Sequence, residues 1–501
     1  MQGAGVSTGL PMACYERHGR FFAAAQGAFV VFSVFHFFVQ KKREAVYTDI
    51  LIQNGTVVNH TGHEKADVLI SGGRIRAVGK SLAAADAKVI DAMGCFVFPG
   101  MIDTHTHFDL DTGSAVTADD FITGTKAALL GGTTTVLDFA TQERDGSLKD
   151  ALRTWHEKAQ GSSCNYGFHM AIARWDAETE AELPDMTAAG VTSYKLYMVY
   201  DALKVDDGAI YAALRAAKKE GALIGVHCEN WDVLLRRIGE VQASGITGPE
   251  GHPLSRPAAV EAEAVARLMR IAELAEAPVS VVHLSTGEGL LEARRARERG
   301  QKVFLESCPQ YLLLTDEAYK AEDGEKYVMS PPLRKAEDQA ALWEALAGGE
   351  IDFIGTDHCS FTMAQKREFR SDFKKIPNGG AGVQHRLQLL YTYGVETGRI
   401  TPEQLTELLS HGAAKHFGMD DRGVIAPGMA ADLVVYDPLP ESVITDTNTA
   451  HNTDNSPFAG LALKGEVKHV ILNGEHAVEN GRLILSGSGR YVHRTASGCC
   501  K

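Results

Sequence analysis

Residues 258–285 read AAVEAEAVARLMRIAELAEAPVSVVHLS. The first part, 258–277, is rich in Ala, Glu, Arg and Leu and reads as a helix. The second, PVSVVHLS at 278–285, is a short apolar run with a histidine near its end. A helix that feeds straight into an apolar strand is one unit of a parallel sheet. The alternation continues on both sides, across residues 101–421. Further strand-like runs are TTTVLDF (133–139), VTSYKLYMV (191–199), ALIGVHCE (222–229), KVFLESCP (302–309) and IDFIGTDH (351–358). Repetition over this length predicts a (β/α)8 barrel of the TIM type, an α/β fold, rather than an open doubly wound sheet. The open sheet would call for a Gly-rich phosphate loop after an early strand, and no GxGxxG or Walker sequence is present.

The flanks read differently. Residues 46–100 hold short alternating runs broken by turn signals at Asn54-Gly55 and Gly72-Gly73. Short strands return over 422–485 with a similar composition. The two pieces are expected to join as one small β-sandwich domain beside the barrel. The last segment, 486–501, SGSGRYVHRTASGCCK, is polar and is expected to be a mobile tail or an arm to a neighbouring subunit. At the other end, 21–39 is the strongest apolar run, flanked by basic residues. It reads as a marginal membrane anchor. A second reading makes Val46 a GTG start and 1–45 a mistranslated leader.

The 501 residues carry 45% hydrophobic and 23% charged residues, enough for a large core. A formal net charge of -14 argues against general nucleic-acid binding, which needs basic surface. The eight cysteines form no CxxC pair, which suits reduced thiols and a cytoplasmic location. Cys228, Cys308 and Cys359 follow apolar runs and read as small buried fillers.

The polar residues at the ends of the apolar runs carry the chemistry. They are His105 and His107 in FPGMIDTHTHFDLDTG (98–113), Lys195, His227, His283 and Asp357. Strand ends of a parallel barrel share one mouth, and residues i and i+2 of a strand point the same way. Both histidines of H-T-H can therefore face one ion, and the whole set makes an imidazole/carboxylate metal site. Taken singly each has an ordinary reading: a bland strand pair, a satisfied core histidine, a helix-capping aspartate, a snorkelling lysine. Lys195 is the costliest to bury as a cation. Its chemical readings are a lysine held neutral so that it can react, or one made anionic by carbon dioxide.

PGMIDTHTHFD, TSYKLYMVY, GVHCEN, VHLST, MSPPLR, GTDHCSF and IPNGGAGVQHRL, in this order, resemble the dihydropyrimidinase/D-hydantoinase family of cyclic amidohydrolases. The resemblance spans 47–485. It implies a metal-dependent barrel with a β-sandwich, two zinc ions, and a homotetramer. One ion would be held by His105, His107, Lys195 and Asp357, the other by Lys195, His227 and His283. Lys195, N6-carboxylated by carbon dioxide, would bridge them. Tyr200, Ser330 and Asn378 would bind substrate, and the loop between Asp357 and Asn378 is slightly shorter than the family pattern. A bridging hydroxide would attack a ring amide carbonyl, Tyr200 would donate to the oxyanion, and Asp357 would pass the proton to the leaving nitrogen. Ser330 and Asn378 would grip the cyclic imide through backbone groups. The expected substrates are 5,6-dihydropyrimidines or 5-substituted hydantoins, opened to N-carbamoyl amino acids. Dihydroorotases usually carry an arginine where Asp109 stands, and an acid there would repel a carboxylate substrate. Allantoinase and a non-catalytic scaffold are the alternatives, and lost metal ligands would mark the scaffold.

Overall fold

The computed structural model of the protein describes residues 48–500; the apolar run at 21–39 and Val46 lie outside the described residues. Among the described residues no helix is long and apolar enough to cross a membrane.

Eight parallel strands pair in chain order: Met101–Thr106, Thr133–Thr141, Asn165–Ala171, Ser193–Tyr197, Leu223–His227, Val279–Val281, Val303–Ser307 and Phe353–Ile354. A parallel bridge from Thr106 to His358 joins the first strand to the chain leaving the last, with the His107 N–H donating to the His358 carbonyl at 2.8 Å. The sheet curls into the expected (β/α)8 barrel. Thr133–Thr141 is buried along all but its last residue. Burial on both faces explains why the strands read as apolar runs instead of alternating.

Helices cover the outside. Ala258–Ala275 buries Val260, Ala264, Val265, Leu268, Met269 and Ala272, a stripe at helical spacing. It stops where Glu276 turns left-handed, at φ 50°. Asp207–Lys219 starts where the Asp206 carboxylate accepts the Ala209 N–H at 2.8 Å.

Segments from the two ends of the chain share a seven-stranded sheet. In it Phe96–Pro99 pairs antiparallel with Leu433–Val443. Ile50, Ile52, Val68 and Val97 from one end pack with Ile425, Leu433 and Ile471 from the other. The small β domain built from both ends is thus the observed arrangement.

The C-terminal segment corrects the expectation of a mobile tail: residues 486–500 pack against the protein's own barrel. They run under the barrel, where Tyr491 bridges Tyr166 and its hydroxyl donates to the Ala189 carbonyl at 2.9 Å. Arg494 is 1% exposed and donates to Ser193 Oγ at 2.8 Å and to the Phe168 carbonyl. Val492 and Cys499 join Ile102, Leu137, Leu223 and Phe353 in a plug at the N-terminal ends of the strands. The polar side chains that made the tail look mobile find carbonyl and hydroxyl partners on the strands Asn165–Ala171 and Ser193–Tyr197 and at Ala189.

Candidate metal centre

The C-terminal ends of the strands gather the predicted side chains at one mouth. His105 is the last residue but one of the first strand and His107 lies just beyond it, so the pleat aims both inward. Their Nε2 atoms each lie 3.2 Å from Asp357 Oδ1. Lys195, 2% exposed, places Nζ 2.8 Å from His105 Nε2. The His283 ring centre is 5.4 Å from that of His105 and 4.4 Å from that of His227. Donor atoms of His105, His283 and Asp357 all lie within 4.8 Å of one another. His283 and Asp357 adopt positive φ, 41° and 52°, a conformation side chains with a Cβ rarely take unless the surroundings impose it.

Burial dominates the electrostatics. It pushes the His105 and His283 imidazoles well below their ordinary value, with Lys195 and neighbouring imidazoles adding to the effect. Burial also lowers the Lys195 ammonium, against the pull of Asp357 and Glu306. For Asp357 burial acts upward, but His105, His107 and His283 around it hold the carboxyl well below the usual range.

The residues expected to touch substrate stand together on one side. Tyr200 has its ring centre 5.4 Å from that of His227, and burial pushes its phenol up to about 12. Ser330 Oγ donates to Asn378 Oδ1 at 3.2 Å, although 48 residues separate them.

A profile described as the Amidohydrolase family matches residues 96–477. The D-hydantoinase of Geobacillus stearothermophilus is 42% identical over 457 residues, covering 89% of this chain and 97% of its own. The D-phenylhydantoinase of Escherichia coli (strain SE11) is 42% identical over 452 residues, covering 89% and 98%. The crystal structure of dihydropyrimidinase from Brevibacillus agri NCHU1002 superposes with a TM-score of 0.88 at 41% identity, covering 90% of this chain and 99% of that one. The chain belongs to the amidohydrolase family.

This amidohydrolase has donors suited to the divalent ions of a metal-dependent family. His283 Nδ1 is buried with no hydrogen-bond partner. An orphaned imidazole nitrogen beside a carboxylate and further imidazoles suits a divalent ion that accepts nitrogen and oxygen ligands.

Two carboxylates that went unnoticed in the sequence hold the histidines from behind. Glu306 Oε2 takes His105 Nδ1 at 2.7 Å and the His283 N–H at 3.1 Å, while its other oxygen takes the Thr104 hydroxyl at 2.8 Å. With Nδ1 donating to Glu306, His105 turns the lone pair of Nε2 into the mouth. Glu229 does the same for His227, accepting from Nε2 at 2.7 Å, which leaves the lone pair on Nδ1; Arg256 pairs with that carboxylate at 2.6 Å. The signal was present in KVFLESCP and GVHCEN: an acid at the end of an apolar run is as unusual as Lys195.

Proposed function

We propose that this protein hydrolyses a ring amide bond of 5,6-dihydropyrimidines or 5-substituted hydantoins and releases N-carbamoyl amino acids. The observation that carries the reading is the convergence of His105, His107, Lys195, His227, His283 and Asp357 beside Tyr200, Ser330 and Asn378. The names of the relatives support the substrate class. The filled ligand positions weigh against a non-catalytic scaffold.

His105, His107, Lys195 and Asp357 would hold one zinc ion, and Lys195, His227 and His283 a second. Bound there, two such ions acidify water and polarise a carbonyl. Lys195 is suited to carboxylation because burial favours its neutral amine, the form that attacks carbon dioxide. The surrounding imidazoles are held neutral by burial, so the charge of the resulting anion would be offset by the bound ions.

The protein's own groups do the rest. Asp357 stays ionised at neutral pH and takes the proton of the attacking water, then returns it to the leaving ring nitrogen. The Tyr200 phenol stays protonated and donates to the carbonyl oxygen as negative charge develops on it. Ser330 and Asn378 orient the imide. Among the described residues, their main-chain N–H and C=O groups have no hydrogen-bond partner, although Ser330 is only 8% exposed. Such groups match the alternating donors and acceptors of a cyclic imide.

The test is ring opening followed by ultraviolet absorbance, with dihydrouracil, a 5-substituted hydantoin, allantoin and dihydroorotate in parallel. Chelator-sensitive turnover of the first two, lost in Asp357→Ala, is expected. No turnover of either by zinc-loaded protein supplied with bicarbonate would overturn the reading.

A further inference from the structure

Lys366 is a lysine that the catalytic reading leaves without a role. It is fully buried, at 0% exposure, on the short helix Met363–Arg367. Its Nζ donates to the Val328 carbonyl at 2.9 Å and to the Pro377 carbonyl at 3.0 Å. Val328 opens the VMS stretch that ends at Ser330, and Pro377 immediately precedes Asn378. The Val328 carbonyl also accepts the Gly379 N–H at 3.0 Å. Neither segment belongs to a helix or strand at these residues, so no regular ladder sets their separation.

The helix that carries Lys366 is itself pinned. Thr362 and Gln365 form a capping box, Gln365 Nε2 donates to the Val116 carbonyl at 2.8 Å, and the Met363 N–H donates to Asp454 Oδ1 at 2.8 Å. Arg367 pairs at 3.1 Å with the buried Glu325, which lies in the turn leading to Val328. Gly379 is closed in from the other side, where a Cβ would stand 2.2 Å from the Cys359 carbonyl oxygen. Burial pushes the Lys366 ammonium down to about 7. A neutral amine has two N–H groups, and two carbonyls receive them.

We propose that Lys366 is a positioning residue for the cyclic imide: its amine cross-links the Val328–Ser330 and Pro377–Gly379 segments and sets the spacing between the two main chains that grip the ring. The inference rests on Ser330 and Asn378 being the imide-binding residues. Lys366 acts through them and never meets the substrate. A cross-link made to carbonyls one and two residues away from the binding residues fixes the position of their main chains while leaving their own N–H and C=O groups open to the ring.

The experiment uses the full-length, metal-loaded protein with a 5-substituted hydantoin and its N3-methyl derivative, which lacks the imide N–H. Lys366→Met keeps the packing and removes both donors. It is expected to raise KM about tenfold, the factor that corresponds to about 1.4 kcal/mol. The change in kcat is expected to be smaller, with metal content unchanged and the preference for the free imide over the N3-methyl ring falling with the rise in KM. Lys366→Gln keeps an N–H pair on a shorter arm and is expected to fall between. A merely structural role would lower the active fraction and the melting temperature and leave KM and the preference where they are. KM and preference within about twofold of the wild type, in either variant that folds, would overturn the proposal. Failure of both variants to fold would assign the amine to stability alone and overturn it too. Wild-type turnover separates the two readings. If the wild type is active and the variants match it, only this inference fails. If the wild type opens neither hydantoin nor dihydrouracil, the functional reading fails and takes this one with it.

Discussion

Replacing Glu306 with glutamine replaces one carboxyl oxygen in the wall behind the candidate metal centre with an amide that only donates, and leaves the volume there unchanged. The carboxylate is 1% exposed and receives three donors: the Thr104 hydroxyl at 2.8 Å, His105 Nδ1 at 2.7 Å and the His283 N–H at 3.1 Å. A glutamine offers one acceptor oxygen and an amide that only donates. With its oxygen toward His105 and His283 the amide can donate to the Thr104 hydroxyl oxygen, and a neutral acceptor replaces the carboxylate; with its oxygen toward Thr104 the amide meets the His105 and His283 donors. If the oxygen faces Thr104, His105 loses the acceptor that keeps its proton on Nδ1. Nε2 is then no longer presented to the ion as a lone pair. A hydrogen bond to a charged acceptor contributes about 1.5–3 kcal/mol. Losing one corresponds to metal binding weaker by about 10–100-fold, the range seen when the outer partner of a ligating histidine is changed. The assay is competition with a chelator of known affinity, with metal per chain and ring opening measured across a metal titration. Lower affinity, with activity largely recovered at excess metal, is the expected result. Affinity within about twofold of the wild type would refute the argument, because the orientation of His105 would then not depend on its carboxylate.

Tyr200→Phe removes the proposed oxyanion donor, so kcat is expected to fall about 100-fold with metal content intact; a fall confined to KM would contradict that role. Arg494→Met leaves Ser193 Oγ and the Phe168 carbonyl without their donor beneath the barrel. A loss of about 1–3 kcal/mol of stability is expected in denaturant melts, with kcat per folded molecule unchanged, since the mouth is at the other end. Lys366 has its ammonium at about 7 in the folded protein, against an ordinary 10.5. Between these values the unfolded chain holds a proton that the folded chain lacks, so the contribution of Lys366 to stability rises with pH across that window. The wild type should therefore gain stability relative to Lys366→Met between about pH 7 and about pH 10, and parallel pH dependences in denaturant midpoints would exclude the shifted lysine.

Much of the site was legible because a parallel barrel converts one-dimensional position into three-dimensional proximity. Any polar residue at the end of an apolar run is delivered to the same mouth, so His105, His227 and His283 could be grouped before any contact was known. Lys195 announced itself by the cost of burying a cation in SYKLY. Glu306 and Glu229 obey the same rule, yet their value lies in what stands behind a histidine, which strand order alone does not reveal.

Sequence by itself determined the repeating β/α pattern, the small β domain drawn from both ends and the ring of polar strand ends, because each follows from local periodicity and from the geometry of strands. Tertiary structure alone decided the partners of residues far apart in the chain. The polar C-terminal segment docks beneath the barrel because Arg494 finds the Phe168 carbonyl and the Ser193 hydroxyl there. Ser330 meets Asn378 across 48 residues, and Lys366 ties their segments together through two carbonyls. Hydrogen bonds to the main chain carry no side-chain signature at the acceptor, so the sequence names the donor but not the place where it is used.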